Sequence, residues 1–313
     1  MLSLEGEWSD VLPAVLGGVD NVLTLHPSGG FNGAQSMAMH AALERYLLDG
    51  PSQAPSNGYA VSVGGCNALA HACRAVRQLG HGYHTDFCTP EFVRPGQLAW
   101  FTGTKINLDF YRKKLLQLFA DRQPYHPENR VRFGVTHYET AQAHTLEASL
   151  TDWPRVIELA TASAYLPCVR DKYVVIDGVP YTDGGISDPL PIKRALEPTT
   201  RYVLALMPHT PEYNARWDRL TERLLFSTPG RRLPAVLRRH VLARDELFRT
   251  QLQEIRVQLK LSVGDPARWL PPTCLVWPAG KLPLIEQNKE RIKAVAEAVR
   301  QDMHELIARV RVH

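Results

Sequence analysis

Residues 58–80 read GYAVSVGGCNALAHACRAVRQLG and predict a short buried strand ending at Ser62, followed by a helix closed by Gly80. Ala60 and Gly64 flank the serine at positions −2 and +2, which approximates the pattern G-x-S-x-G. In such an elbow the hydroxyl projects into a cleft, and the positive end of the following helix points at it. A serine at a strand–helix junction is also a common helix cap, so this pattern alone leaves both interpretations open.

The preceding segment has the same order of strand, glycine turn and helix. Residues 21–25 (NVLTL) predict a buried strand, residues 28–33 (SGGFNG) a turn, and residues 34–50 a helix stopped by Gly50. Two such units in succession predict a parallel sheet covered by helices. Backbone N–H groups of the turn could bind a phosphate or an oxyanion, and a tight turn with close packing is the alternative.

A third glycine motif, YTDGG at residues 181–185, places Asp183 directly before Gly184 and Gly185. An aspartate in this position can lie in a turn and reach across a cleft. A plain Asp-Gly turn would have the same sequence. The motif becomes a candidate catalytic segment only in combination with the other two.

Hydrophobic periodicity and turn residues predict the remaining elements. We expect helices at residues 109–119, 153–163 and 286–310. We expect strands at residues 130–136, 173–176, 202–207 and 273–277, with residues 143–149 as a candidate partner for the first of them.

Taken together and in this order, the three motifs resemble those of the patatin-like phospholipase family. Residues 160–195 (ATASAYLPCVRDKYVVIDGVPYTDGGISDPLPIKRA) are similar to that family's segment around its catalytic aspartate, and residues 60–80 to its serine helix, including Asn67. The resemblance implies a three-layer α/β/α sandwich with a mostly parallel central sheet. It spans residues 21–207, which we expect to form the catalytic domain, after a lead segment at 1–20 and before a mainly helical extension at 208–313 packed on the same domain.

The resemblance also implies roles for individual residues. Ser62 would attack an ester carbonyl of a lipid, Asp183 would accept its proton without an intervening histidine, and the N–H groups of Gly29 and Gly30 would hold the oxyanion. The residues expected to support these motifs are Gly33, Asn32, Ala60, Gly64, Gly184 and Gly185. The implied substrate is a phospholipid or lysophospholipid, and no metal or organic cofactor is implied.

The glycine turn departs from the family pattern G-G-G-x-R-G, because Ser28 replaces the first glycine and Asn32 stands where the arginine is expected. Loss of a charge-assisted hydrogen bond would remove about 1.5–3 kcal/mol of stabilisation. Two alternatives therefore stay open: a binding or regulatory protein that keeps the fold with impaired turnover, and an esterase or thioesterase acting on small acyl groups.

A Ser-His-Asp triad is a further alternative, since histidines follow the serine in the chain. His209 comes directly after a predicted strand and is the best placed, whereas His240 and His304 lie in predicted helices. His26 adjoins the glycine turn, so its surroundings bear on that turn. No sequence around these histidines is typical of a catalytic loop.

The formal net charge is +4, and the region Arg216–Arg249 holds nine arginines against four acidic residues, with Leu, Val and Phe interleaved. This pattern predicts amphipathic helices broken at residues 227–230. Such helices present either a solvated face or a surface for anionic lipid. Nucleic acid is not an expected partner, because there is no zinc-finger spacing, RNA-recognition signature or long basic run.

The five cysteines (Cys66, Cys73, Cys88, Cys168 and Cys274) are odd in number and form no CxxC pair, which favours a reducing compartment over a disulfide framework or a zinc site. The first residues carry acids rather than a basic region before a long apolar run, so we expect no secretory signal. No stretch reaches the roughly 20 apolar residues of a membrane span. We therefore expect a cytoplasmic protein with, at most, peripheral membrane contact.

Overall fold

A single nine-stranded mixed sheet organises the described part of the chain. The computed structural model describes residues 2–48, 57–94, 106–167, 173–210, 233–279, 282 and 286–311. The strands are β1 (Ser3–Gly6), β2 (Val22–His26), β3 (Asn57–Val61), β4 (Arg130–His137), β5 (Ala143–Glu147), β6 (Val174–Ile176), β7 (Val179–Asp183), β8 (Tyr202–Leu206) and β9 (Thr273–Trp277). The helices are α1 (Trp8–Gly17), α2 (Gly33–Leu48), α3 (Gly64–Ala72), α4 (Val76–His84), α5 (Leu108–Phe119), α6 (Trp153–Ser163), α7 (Ile192–Ala195), α8 (Ala235–Gln258) and α9 (Lys289–Arg311).

The strand order is β1-β9-β8-β2-β3-β4-β7-β6, and β5 pairs with β4 outside this path. The five central strands β9, β8, β2, β3 and β4 are mutually parallel, whereas β1, β5, β6 and β7 pair antiparallel. The predicted α/β class with a mostly parallel centre is confirmed, with antiparallel strands added at both sides. β1 and β9 belong to the lead segment and the C-terminal segment, yet both pair within this one sheet.

Helices cover both faces of the sheet, which makes three layers. In β8, Leu204 and Leu206 pack towards α1, α2 and α9, while Val203 and Ala205 pack towards α7 and α8. Both sets are buried, so the strand is apolar without alternation, as expected for a strand covered on both sides. Next to it, α3 to α6 pack on β3 and β4 on the same face as α1.

The segment after Ser62 forms two helices, so the single helix predicted to end at Gly80 is wrong. Arg74 adopts the left-handed region with φ of 50°, which ends α3 and redirects the chain. The turn is closed by the Ala75 N–H, which donates to the Ala70 carbonyl over 2.7 Å. Gly80 lies inside α4, which continues to His84.

The basic region predicted at Arg216–Arg249 lies partly outside the described residues, including the expected break at residues 227–230. From Ala235 onward it forms α8, which continues beyond Arg249 to Gln258. Buried Leu237, Val241, Leu252 and Ile255 lie along it at helical spacing, which explains its length. No helix in the described ranges has the length and apolar composition to cross a membrane.

Candidate active site

Ser62 occupies a strained elbow between β3 and α3. Its φ is 58°, in the left-handed region that non-glycine residues rarely adopt. The Ser62 N–H donates to Ser163 Oγ over 2.9 Å, and the Ser163 hydroxyl donates to the Gly134 carbonyl over 2.7 Å. A Cβ at Gly64 would lie 2.0 Å from the His26 carbonyl oxygen, so the elbow requires glycine there.

Ala60 replaces the first glycine of the elbow pattern without obstructing it. Its side chain is fully buried in the apolar cluster between the sheet and α3 to α6. The extra methyl group is therefore accommodated in the core, and Ala60 is not among the residues that line the cavity beside Ser62.

Asp183 ends β7 and is held by hydrogen bonds from both its backbone and its side chain. Its N–H donates to the Tyr165 carbonyl over 3.0 Å, and its carbonyl accepts from Thr136 Oγ1 over 2.7 Å. Its Oδ1 accepts from the Gly185 N–H over 2.7 Å. A Cβ at Gly184 would lie 2.2 Å from the Gly134 carbonyl oxygen, so this loop also needs a glycine for its close approach to β4.

Sheet register brings Ser62 and Asp183 together although 121 residues separate them. Val61 lies opposite Gly134 in the parallel pair of β3 and β4, and Val135 lies opposite Asp183 in the antiparallel pair of β4 and β7. The two residues therefore flank β4 where Gly134 carries no side chain. The Ser62 hydroxyl donates to Asp183 Oδ2 over 2.7 Å.

The buried environment of Asp183 raises the proton affinity of its carboxylate. Only 4% of the residue is exposed, and this burial raises its pKa from 3.8 to about 6. Hydrogen bonds from Ser62 and Gly185, and then the charge of Arg244, act in the opposite direction on the pKa. Asp183 is consequently ionised at neutral pH but is a stronger base than an exposed aspartate.

The glycine turn lies beside the serine. Gly30 begins a short 3-10 turn with φ of 53°, and it lines the same cavity as Ser62 and Ser28. Gly29 packs against Pro208, where a Cβ would meet the proline Cβ at 2.5 Å. Of the two residues predicted to hold an oxyanion, Gly30 thus borders Ser62's cavity, and Gly29 borders a second cavity described below.

Two further predicted support residues lie where chain segments meet closely. A Cβ at Gly33 would lie 2.7 Å from the Tyr83 hydroxyl and 2.8 Å from Val63 Cγ2. A Cβ at Gly185 would lie 2.8 Å from Ser28 Oγ, so the aspartate loop and the glycine turn are in contact.

Asn32 connects the glycine turn to the C-terminal segment. It is 1% exposed, and its Nδ2 donates to the Leu282 carbonyl over 2.9 Å. Its Oδ1 accepts from the Leu282 N–H over 3.1 Å and from Gln35 Nε2 over 2.9 Å. The amide is therefore engaged with backbone 250 residues away in sequence.

Asn67 fixes the start of α2, into which the turn leads. Its Nδ2 donates to the Gly33 carbonyl and to Ser36 Oγ, over 2.9 and 2.7 Å. Its Oδ1 accepts from the Tyr83 hydroxyl over 2.8 Å. The sequence identified Asn67 as part of the serine helix but not its partner Tyr83, because Tyr83 lies beyond Gly80, where the predicted helix ended.

An apolar cavity of about 110 Å³ opens beside Ser62 and Asp183. The apolar side chains that line it include Tyr83, Phe87, Phe92, Ile106, Leu108 and Leu166. We refer to it as the apolar cavity. Its lining suits a hydrocarbon chain and offers few polar partners.

The histidines considered for a triad lie in other settings. His209 is 8% exposed and packs edge-on against Phe248, and burial together with the charge of Arg244 lowers its pKa to about 3. His240 Nδ1 contacts the Val236 carbonyl within α8, and His304 packs against Tyr46. The Ser62 hydroxyl is directed to Asp183 instead.

His26, His40 and His71 form a buried histidine stack behind the elbow. Their ring centroids are 4.5 and 4.9 Å apart, and His40 Nε2 lies 3.2 Å from His26 Nδ1. Burial is the main cause that lowers all three pKa values, that of His71 to about 4. Within the described residues, no group of His, Cys, Asp and Glu side chains is arranged to hold a metal ion.

Comparison with known proteins relates the chain to one family. A family model described as patatin-like phospholipase matches residues 28–196, which include the glycine turn, the elbow and the aspartate loop. Among solved structures, VipD from Legionella pneumophila is similar with a TM-score of 0.42 and 12% identity, over 91% of this chain and 66% of that one. No curated protein shows a significant match.

Proposed function

The chain belongs to the patatin-like phospholipase family, and from that premise we propose that it hydrolyses phospholipid or lysophospholipid esters through Ser62 and Asp183. The family supports lipid acyl hydrolysis in general. The observation that carries the more specific proposal is the 2.7 Å hydrogen bond from the Ser62 hydroxyl to Asp183 Oδ2, at the edge of the apolar cavity.

In the proposed reaction, Ser62 Oγ attacks the ester carbonyl while its proton passes to Asp183 Oδ2. Backbone N–H groups of Gly29 and Gly30 stabilise the oxyanion of the tetrahedral intermediate. The carbon–oxygen bond to the alcohol then breaks, and the alcohol leaves with the proton from Asp183. Water attacks the acyl-enzyme, gives its proton to Asp183 and releases the fatty acid, and Ser62 recovers its proton.

Two features favour Asp183 as the base. The Gly185 N–H occupies Oδ1, so Oδ2 is the oxygen directed to the serine. The pKa of about 6 lies nearer to neutral pH than that of an exposed aspartate, and a base is most effective when its pKa is close to the working pH.

Peripheral contact with an anionic membrane is part of the proposal. The outer face of α8 exposes Arg238, Arg239 and Arg249 around Leu242, whose exposed fraction is 48%. An exposed leucine among arginines can enter the lipid interface while the guanidinium groups meet lipid phosphates. Binding to phosphatidylglycerol vesicles but not to phosphatidylcholine vesicles, weakened in Leu242→Ser, is the expected result.

Labelling by a fluorophosphonate and release of fatty acid from lysophosphatidylcholine test the catalytic proposal together. We expect both in the wild type, neither in Ser62→Ala, and strongly reduced release in Asp183→Asn. Ser149→Ala, on a loop that does not line the apolar cavity, is the matched control and should keep both activities. A wild-type protein that neither labels nor releases fatty acid would contradict the proposal and favour a binding or regulatory protein with impaired turnover.

Hydrolysis of short-chain esters is the second candidate, and the modest volume of the apolar cavity, about 110 Å³, favours it. A series of p-nitrophenyl esters from acetate to palmitate separates the two. Rates that fall beyond hexanoate, with no release from lysophosphatidylcholine, would favour the small-ester candidate.

A further inference from the structure

A second cavity adjoins the apolar cavity at Ser62. This adjoining cavity, of about 50 Å³, is bounded by Gly29, His209, Asp245 and Phe248, together with Ser28 and Arg244. Ser28 and Arg244 line both cavities. An ester bound at Ser62 can therefore place its acyl half in the apolar cavity and its alcohol half in the adjoining one.

Among the described residues that line the two cavities, Arg244 is the one that carries a permanent positive charge. It projects from α8 with a side chain that is 20% exposed. Burial raises the pKa of Asp183, and the charge of Arg244 acts against that rise; burial lowers the pKa of His209, and the charge of Arg244 adds to that effect. Arg244 thus lines the cavity that holds the candidate base as well as the adjoining cavity, and its charge acts in both.

We propose that Arg244 binds the phosphate of the substrate, so that the adjoining cavity selects esters whose alcohol carries a phosphate. This inference rests on the proposed function and identifies the residue that distinguishes a phospholipid from a neutral lipid. A guanidinium offers a planar pair of N–H donors that matches two phosphate oxygens. The glycine turn has no cation of its own, because neutral Asn32 occupies its fifth position and is engaged with Leu282.

Asp245 is the group that opposes anion binding, because its carboxylate borders the same cavity. Its Oδ1 lies 3.5 Å from Arg244 Nη2, longer than the usual 2.7–2.9 Å of a charge-assisted hydrogen bond. Replacing Asp245 with asparagine should therefore improve the binding of phosphorylated substrates.

The test compares two esters with the same acyl chains, dihexanoylphosphatidylcholine and dihexanoylglycerol, both as monomers at pH 8. We expect Arg244→Gln to lower kcat/KM for the phospholipid about 10- to 100-fold more than for dihexanoylglycerol, the range for a lost charge-assisted contact. Asp245→Asn should raise kcat/KM for the phospholipid relative to kcat/KM for dihexanoylglycerol. Arg309→Gln removes the same charge from an exposed position on α9 that lines neither cavity, and is the matched control.

A binding measurement separates this inference from the proposed function. We expect sn-glycerol 3-phosphate to raise the melting temperature of the wild type and of Arg309→Gln, but not of Arg244→Gln. Equal losses of kcat/KM on both esters, or a phospholipid-selective loss in Asp245→Asn, would overturn phosphate binding by Arg244. If the wild type cleaves neither ester, the proposed function fails, and the melting shift alone decides whether Arg244 binds phosphate.

Discussion

Replacing Asp183 with asparagine should stabilise the protein at neutral pH while it strongly reduces hydrolysis. Asparagine keeps the shape of the side chain. Its oxygen can accept from the Gly185 N–H as Oδ1 does now, and its amide group can donate to Ser62 Oγ. What the substitution removes is a negative charge on a residue that is 4% exposed.

The raised pKa of Asp183 sets the magnitude. A change from 3.8 to about 6 means that the folded protein holds this proton more tightly than the unfolded chain. The stabilisation that results is complete below pH 3.8 and is lost as the pH rises through about 6. At about 1.4 kcal/mol per pH unit, ionised Asp183 costs the folded state about 3 kcal/mol at pH 8 and about half of that at pH 5.

Urea unfolding followed by tryptophan fluorescence measures this difference from pH 5 to pH 8. Asp183→Asn should be more stable than the wild type at pH 8, and its advantage should shrink by about half at pH 5. The exposed Asp20, which lies outside the helices and strands, provides a control, because Asp20→Asn should change the unfolding free energy by no more than about 0.5 kcal/mol at either pH. A stability difference that does not depend on pH would refute the assignment of a buried, raised-pKa carboxylate.

Three further predictions follow from buried contacts. Asn32→Ala breaks three buried hydrogen bonds, two of them to Leu282, and should lower the unfolding free energy by about 2–4 kcal/mol in urea titration and reduce kcat by loosening the turn. Gly64→Ala places a Cβ 2.0 Å from the His26 carbonyl oxygen and should abolish fluorophosphonate labelling or soluble expression, whereas an unchanged labelling rate would contradict the elbow geometry. Burial lowers the pKa values of the histidine stack, so its rings stay neutral in the folded protein while those of the unfolded chain take up protons below pH 6.5. The unfolding free energy should therefore fall as the pH drops below 6.5, and His40→Gln should reduce that pH dependence.

Local patterns predicted most of the parallel core. The apolar runs at residues 21–25, 58–62 and 202–207 correspond to β2, β3 and β8 to within a residue at each end, and helix α6 has the predicted bounds. The three strands could be predicted because they are continuous apolar runs buried on both faces, and the helix because its apolar residues recur at helical spacing. The break after Ala72 was missed, because Arg74 is an ordinary helix former whose left-handed φ depends on how α4 packs.

The candidate site divides in the same way. Ser62 and Asp183 each lie in a short motif that contains glycine, so both could be identified as candidate catalytic residues from the sequence. Their catalytic roles stay predictions that the labelling experiment tests. The division of the chain at residues 20 and 207 also stays a prediction, although strands from both outer segments pair within the sheet.

Only the tertiary structure decided what surrounds the two residues that the sequence nominated. From the sequence, Asn32 is a departure from the family's arginine that removes a charge from the glycine turn. In the structure, its side-chain amide hydrogen-bonds to the backbone of Leu282. Arg244 was one arginine among nine in a basic region, and it proves to line both cavities beside Ser62. The physical reason is that a short motif reflects the backbone conformation that neighbouring residues must adopt. A hydrogen bond between residues 250 positions apart, or a charged side chain that faces a cavity, depends instead on how distant segments of the chain pack.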